Sequence, residues 1–472
     1  MNSPFQRMAQ SQQPAIGKMV VGPKPEPAPG KVGVKVKAAI FFDGTGNNQS
    51  NITKRLKDSS YMEPHWYTSD DSRTSYAQYY SNVAILYFMH KKNVPGERIA
   101  SVYVEGIGTA NDEDDDTPGS GFGSGPTGIV DRVTEGINGL RDAIKDLLKP
   151  NKGEYLEELT VYAFGFSRGA AAARHFCARR ADSRGRANNL CQALGVEKAV
   201  VTIKFVGLFD SVSSFDETGD EPGDAGWRTK AASHARNGDK AFQDDVPELH
   251  LNFDPDPQVV KVVHLAAADE YRVNFSLTTI GSALRQGKGI ELVLPGAHSD
   301  IGGGYALLLT EALTYNSTLR TLSALPFFRD RGWYGAGQIE DFSFKSRSGP
   351  EALFVGTRQL PNTYQYVALG IMHKLAMQGG MLLGSPNADN ERGIRYIIAP
   401  GSRLFAIKTQ LEQYALDQAA GSHAESLTAP LADADYRWLR QHYLHLSWKD
   451  KKIGFEFRRD RQGVPFRLVL AG

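Results

Sequence analysis

Five apolar runs, each ending on a polar or turn-forming residue, set the rhythm of the first three hundred positions. The stretch VKVKAAIFF (34 to 42) begins as strict alternation and becomes continuous, which predicts a strand passing from a sheet edge into its interior. It stops at Asp43-Gly44-Thr45-Gly46-Asn47. The runs VTIKFVGLFD (201 to 210), VVKVVHLAAAD (259 to 269) and IELVLPGAH (290 to 298) have the unbroken hydrophobicity of strands covered on both faces, as in a mainly parallel sheet. SVYVEG (101 to 106) predicts a further short strand.

Helical spacing alternates with these runs. Ile129, Val133, Ile137, Leu140, Ile144 and Leu147 recur every three or four residues and predict an amphipathic helix over one sheet face, ending at Lys149-Pro150. In LTVYAFGFSRGAAAARHFCARR (159 to 180), β-branched and aromatic residues give way to alanines across Gly165 to Gly169, so strand, sharp turn and helix follow one another. Strands alternating with helices predict an α/β fold of α/β-hydrolase type, a mainly parallel sheet flanked by helices. After about residue 305 the signals are mixed and mostly helical, which predicts helical insertions or a C-terminal cap.

The expected organisation is a flexible N-terminal tail over residues 1–30, ending in the proline-rich GPKPEPAPG, then a catalytic domain over 31–320 and an accessory or membrane-interacting cap over 321–472. The weakly patterned polar segment at about 213–257 predicts an insertion over the site.

Lys plus Arg (54) and Asp plus Glu (53) nearly cancel and no basic stripe interleaves with aromatics, so nucleic acid is not expected as a partner. Two cysteines, Cys177 and Cys191, cannot form a disulfide framework and are expected as small buried hydrophobes. The N-terminus lacks the apolar core of a secretory signal and no run of about 18 apolar residues occurs, so the chain is expected to be made in the cytoplasm and to leave by a route that needs no cleavable signal.

The candidate chemistry centres on Gly165-Phe166-Ser167-Arg168-Gly169, a G-x-S-x-G turn with Ser167 as nucleophile. With 48 glycines in 472 residues the pattern alone is weak, and its placement between a β run and an alanine-rich helix makes it specific. A hydrolase of this fold needs an acid and then a histidine later in the chain. Asp210 and His298 end the third and fifth runs and would emerge on the rim where Ser167 emerges. Asp216 and Asp269 compete with Asp210, and His264 with His298, although His264 lies inside an apolar strand where a core histidine is commoner. The backbone N–H of Arg168, with that of Gly44 or Thr45, is expected to form the oxyanion hole; a structural turn held by Asp43 is the plainer alternative for that loop.

Other features are weighed against plainer roles. The cluster Asp112-Glu113-Asp114-Asp115-Asp116 could hold calcium, but its spacing fits a solvated loop better, and no zinc-type group of His and Cys exists, so no metal or cofactor is expected. Tyr364, Tyr366, Ile371, Met372, Met377, Met381 and Leu382 could line an acyl pocket and are more simply core. His442 and His445 are expected as packing or surface residues.

Taken together, FFDGTGNN (41 to 48), YVEGIGT (103 to 109), GFSRGAAAAR (165 to 174), VGLFDSV (206 to 212) and PGAHSDIGGGY (295 to 305) resemble the Tle1 family of bacterial type VI secretion lipase effectors, which shares the DUF2235 hydrolase domain. The resemblance covers about residues 36 to 305, with looser echoes at PNTYQYVALGIMHKLA and HYLHLS. It implies an α/β-hydrolase with a Ser-Asp-His triad falling on Ser167, Asp210 and His298. It further implies phospholipase A activity on membrane glycerophospholipids, loading on a VgrG-type spike, delivery to a target-cell periplasm and neutralisation by an immunity protein. The rival readings are a soluble intracellular carboxylesterase or peptidase of the same fold and a non-catalytic secretion adaptor.

Overall fold

A computed structural model describes residues 30–58, 74–115, 126–149, 153–178, 190–196, 199–214, 246, 249–253, 259–316, 324–342, 344–346, 349–351, 353–387, 396–448, 457–460 and 464–472. The expected N-terminal tail and most of the 213–257 insertion lie outside the described residues.

Among the described residues, the five apolar runs become five strands of a seven-stranded parallel sheet. Its strands are β1 (Val32–Phe42), β2 (Ile99–Val104), β3 (Glu154–Phe166), β4 (Val200–Phe209), β5 (Val262–Ala267), β6 (Gly289–Leu294) and β7 (Leu427–Thr428), in the order β7-β6-β5-β4-β3-β1-β2. Because the strands run the same way, the loops after β1, β3, β4, β5 and β6 all open on one rim, the side on which α/β sheets build their sites. The last residues of neighbouring strands are in register, Phe42 beside Gly165 and Phe166 beside Phe209.

Alternation along β1 sends Ala39 and Phe41 to one core and Ala38, Ile40 and Phe42 to the other. The second core is closed by α3 (Ile129–Leu148) and α4 (Arg168–Cys177), whose Val133, Ile137, Leu140 and Ala170 to Ala173 are buried. The first is closed by α2 (Asn82–Met89) and by α6 (Gln365–Gln378), buried along most of its length. Tyr364, Tyr366, Ile371, Met372 and Met381 therefore serve as core, while Met377 is exposed. The helices α1 (Gln49–Lys57), α5 (His298–Gly302), α7 (Arg403–Ala419) and α8 (Asp433–His442) complete the frame around the rim.

The region after residue 305 also carries a three-stranded antiparallel sheet of Leu308–Asn316, Leu353–Pro361 and Ile339–Asp341. In LLTEALTYN the buried positions alternate as Glu311, Leu313 and Tyr315, but a glutamate on the inner face hides that period in the sequence. Glu311 is accommodated there by an ion pair with the buried Arg358. Among the described residues, no helix is long and apolar enough to cross a membrane.

Candidate active site

The turn at Ser167 is built by the backbones around it. A Cβ on Gly165 would press into the Gly169 carbonyl and lie 2.6 Å from the Ala170 Cα, and one on Gly169 would lie 2.5 Å from the Phe42 carbonyl and closer still to that of Asp43. Hydrogen at both positions is what lets α4 start directly against the ends of β3 and β1. Ser167 joins them at φ 58°, ψ −128°, a strained left-handed conformation for a residue with a side chain. Its N–H donates to the Phe209 carbonyl at 3.0 Å and its carbonyl accepts from Val212 N–H at 3.3 Å, tying it to the next strand's turn.

Asp210 occupies that next turn, fully buried and also at positive φ, 42°. Its Oδ2 lies 2.6 Å from His298 Nδ1, and its Oδ1 accepts from Ala267 N–H at 2.8 Å. Arg467, from the far end of the chain, donates to both oxygens at 2.7 and 2.8 Å. Burial pushes the carboxyl up, but the Arg467 guanidinium, with His298, outweighs it and holds Asp210 below the usual carboxylate range.

His298 opens α5, and its N–H donates to Glu270 Oε2 at 3.2 Å. The ring lies between Phe166, at 4.6 Å between centroids, and Phe275, edge-on at 5.0 Å. Phe166 is the residue before Ser167, so the imidazole packs directly beside the Ser167 turn. Burial pushes His298 below the ordinary imidazole value; Asp210 opposes the shift and Arg272 adds to it. Arg272 is itself paired to Glu270 through two hydrogen bonds of 2.9 and 2.7 Å. The turn before His298 is held by Asp300, whose Oδ2 accepts from Ala297 N–H at 2.9 Å and whose Oδ1 lies 2.8 Å from His445 Nδ1.

The Asp43 to Gly46 loop packs beside the Ser167 turn. The Asp43 carboxylate accepts from Gly44 N–H at 2.8 Å and from the Tyr103 hydroxyl at 2.5 Å. Burial pushes Asp43 up to about 6, restrained by its bonds to Ser81, Tyr103 and Gly44 N–H and reinforced by Glu105. Thr45 Oγ1 accepts from Arg168 Nε at 2.9 Å, linking this loop to the first residue of α4. The Gly44 N–H is thus already committed within the loop, while Thr45 is joined to Arg168 by its side chain.

The competing residues have other duties. His264 is fully buried, with Nδ1 2.7 Å from Glu291 and Nε2 accepting from Ser211 N–H at 2.9 Å, so both ring nitrogens are engaged. Asp269 accepts from Gly296 N–H at 2.9 Å, Tyr436 at 2.7 Å and Arg440 at 2.9 Å, anchoring α8 to the loop before His298. Asp216 lies outside the described residues. Of the acidic cluster, Asp112 pairs with Lys54 and Asp115 accepts from Ser75; among the described residues no group of His, Cys, Asp and Glu is arranged to hold a metal. His442 is exposed and His445 fully buried on Asp300. Sequence reasoning did not single out Arg467, Glu270, Arg272 or Asp300. Asp300 lies within a quoted motif, whereas nothing in RRDRQGVPFRLVL distinguishes Arg467 from its neighbours.

Residues 177–326, which include Asp210 and His298, match the family model of the type VI secretion phospholipase effector Tle1-like catalytic domain. Over that span the chain is similar to the Tle1-like catalytic domain. A solved structure of the Tle1 effector bound to the VgrG spike is 22% identical to this chain, the match covering 94% of each, with a TM-score of 0.53. An uncharacterised protein from Pseudomonas aeruginosa is 17% identical over 86% of this chain and 53% of its own, with a TM-score of 0.37. Esterase 2 of Thermogutta terrifontis is 12% identical over 60% and 80%, with a TM-score of 0.24. No curated protein matches. The fold is α/β, a mainly parallel sheet flanked by helices.

Proposed function

We propose that this chain is a serine hydrolase that cleaves acyl esters of membrane glycerophospholipids, with Ser167 as nucleophile, His298 as base and Asp210 as the acid that orients it. The observation that carries the reading is the 2.6 Å contact between His298 and Asp210, set beside a serine held in a strained strand-to-helix turn. With Nδ1–H donated to the Asp210 carboxylate, His298 presents unprotonated Nε2 and takes the Ser167 proton as Oγ attacks the ester carbonyl. The tetrahedral oxyanion is held by the backbone N–H of Arg168 and by that of Thr45; Gly44 is the weaker candidate because its N–H serves Asp43. His298 then returns the proton to the departing glycerol oxygen. Water, activated by the same histidine, releases the fatty acid from Ser167.

Lipid as the substrate rests on the Tle1-like family match, whose name denotes a phospholipase effector. The solved structure of Tle1 bound to a VgrG spike supports a spike protein as partner and delivery by type VI secretion. The target-cell periplasm as destination and an immunity protein as antagonist belong to the same proposal and rest on the family resemblance alone.

Free fatty acid release from phospholipid vesicles, measured beside hydrolysis of a short-chain ester, tests the reading. Wild type should hydrolyse vesicles and Ser167→Ala should not. A Ser167→Ala protein with full activity would overturn the nucleophile. Preference for the short ester with indifference to vesicles would make the chain a soluble carboxylesterase instead.

A further inference from the structure

Two carboxylates bond to His298 from different parts of the fold, and each is paired with an arginine. Asp210 at the end of β4 is paired with Arg467. Glu270, after β5, accepts the backbone N–H of His298 and is paired with Arg272. Asp300, two residues along α5, lies 2.8 Å from His445 Nδ1. The imidazole therefore sits beside balanced pairs rather than beside a net negative charge.

We infer that Arg467 is a positioning residue for the catalytic acid, fixing the plane of the Asp210 carboxylate and setting the pH range over which His298 works as a base. This rests on the triad reading above. The guanidinium forks onto both oxygens at 2.7 and 2.8 Å, with its side chain 7% exposed. Two further bonds fix its orientation: Nε donates to the Phe275 carbonyl at 2.8 Å and Nη1 to that of Ala267 at 3.1 Å. Phe275 is the residue whose ring lies edge-on to His298. The backbone is pinned beside it as well. Leu277 N–H donates to the Leu468 carbonyl at 2.9 Å, and Val469–Leu470 pairs in parallel with Leu277–Thr278. The site's acid is thus clamped by a segment that arrives 257 residues later in the chain.

A bare triad carboxylate raises the basicity of its histidine by favouring the imidazolium. A guanidinium bound to both oxygens cancels much of that charge, and His298 stays neutral, hence able to accept the Ser167 proton, at lower pH. In exchange the carboxylate gains a fixed geometry, because planar two-point pairing leaves it no rotation about its own bond.

The test is the pH dependence of Ser167 labelling by a fluorophosphonate probe, run on the full chain as wild type, Arg467→Gln and Arg467→Lys. In Arg467→Gln the acid limb should move to higher pH by about one unit or more, since an opposite charge close to a titrating group shifts it by that order. In Arg467→Lys, where charge persists and the fork is lost, the limb should stay near wild type while the plateau rate falls several-fold. An Arg467→Gln limb that coincides with wild type overturns the pH role. If Arg467→Gln does not fold, Arg467→Lys carries the test, and an undiminished plateau overturns the positioning role. Wild type that fails to label at any pH would instead overturn the triad reading, and this inference with it.

Discussion

The backbone N–H of Ser167 donates to the carbonyl of Phe209, the residue before Asp210, at 3.0 Å. Two turns with positive φ, Ser167 at 58° and Asp210 at 42°, are thereby locked as one unit. Such a conformation costs a residue with a Cβ about 1 kcal/mol or more and glycine much less. Ser167→Gly should abolish ester hydrolysis while raising the thermal midpoint, by about 1 kcal/mol of stability at most. Ser167→Ala should abolish it with no such gain. Equal midpoints for the two variants would show that the turn stores no strain.

Gly169→Ala places a methyl group against the carbonyls of Phe42 and Asp43, which are backbone and cannot swing aside. A loss of roughly 2 kcal/mol or more is expected in denaturant unfolding, together with slower fluorophosphonate labelling, because α4 must move away from the end of β1. Wild-type stability in this variant would mean that the close approach is dispensable.

Thr45→Val removes the acceptor of Arg168 Nε without changing side-chain shape. The loop would lose its side-chain tie to the start of α4. Turnover should fall about tenfold with little change in KM, the pattern of an interaction felt mainly in the transition state. A rise in KM at unchanged kcat would assign the contact to substrate binding instead.

In the proposed mechanism attack requires neutral His298, and burial places its pKa below the ordinary imidazole value. Activity should therefore persist below about pH 6.5 and fall only as pH drops through that lowered value. Asp210→Asn, which leaves the histidine without its carboxylate, should cost roughly 10³–10⁴ in kcat. A wild-type profile that already collapses above the ordinary imidazole range would contradict the neutral, buried base.

Asp43 makes the opposite kind of prediction, on stability. Its folded pKa, about 6, lies above the usual carboxyl value, so its contribution is fully present below the unfolded pKa and is lost as pH rises through 6. Asp43→Asn, which cannot ionise, should gain stability relative to wild type above pH 6, with an upper bound of about 3 kcal/mol for a carboxyl shifted this far. The difference should shrink toward pH 4. Denaturant midpoints compared across that range decide it; a pH-independent difference would mean that Asp43 does not titrate there.

Much of this architecture is local and could be read along the chain. Unbroken apolar runs become strands β1, β4, β5 and β6, and the passage from β-branched residues to alanines marks β3 and α4, because neighbours in sequence fix strand pleat, turn and helix. The glycines around Ser167 are legible for the same reason: a turn of five residues is sequence-local chemistry. So is the expectation that Asp210 and His298 emerge on one rim, since parallel strands share a direction.

Tertiary structure decided what those residues meet. Sequence order left Asp210 beside Asp216 and Asp269, and His298 beside His264, as alternatives of similar type. Only the strand order β4-β5-β6 brings His298 to Asp210 across 88 residues and gives His264 to Glu291. Asp300 and His445 meet across 145 residues, and Arg467 reaches Asp210 across 257. A charge carries no mark of its partner in its own sequence neighbourhood. Which ions pair depends on distances that exist only once the sheet is assembled, and so the chain by itself announced a serine in a strained turn but not the arginine that holds the acid behind it.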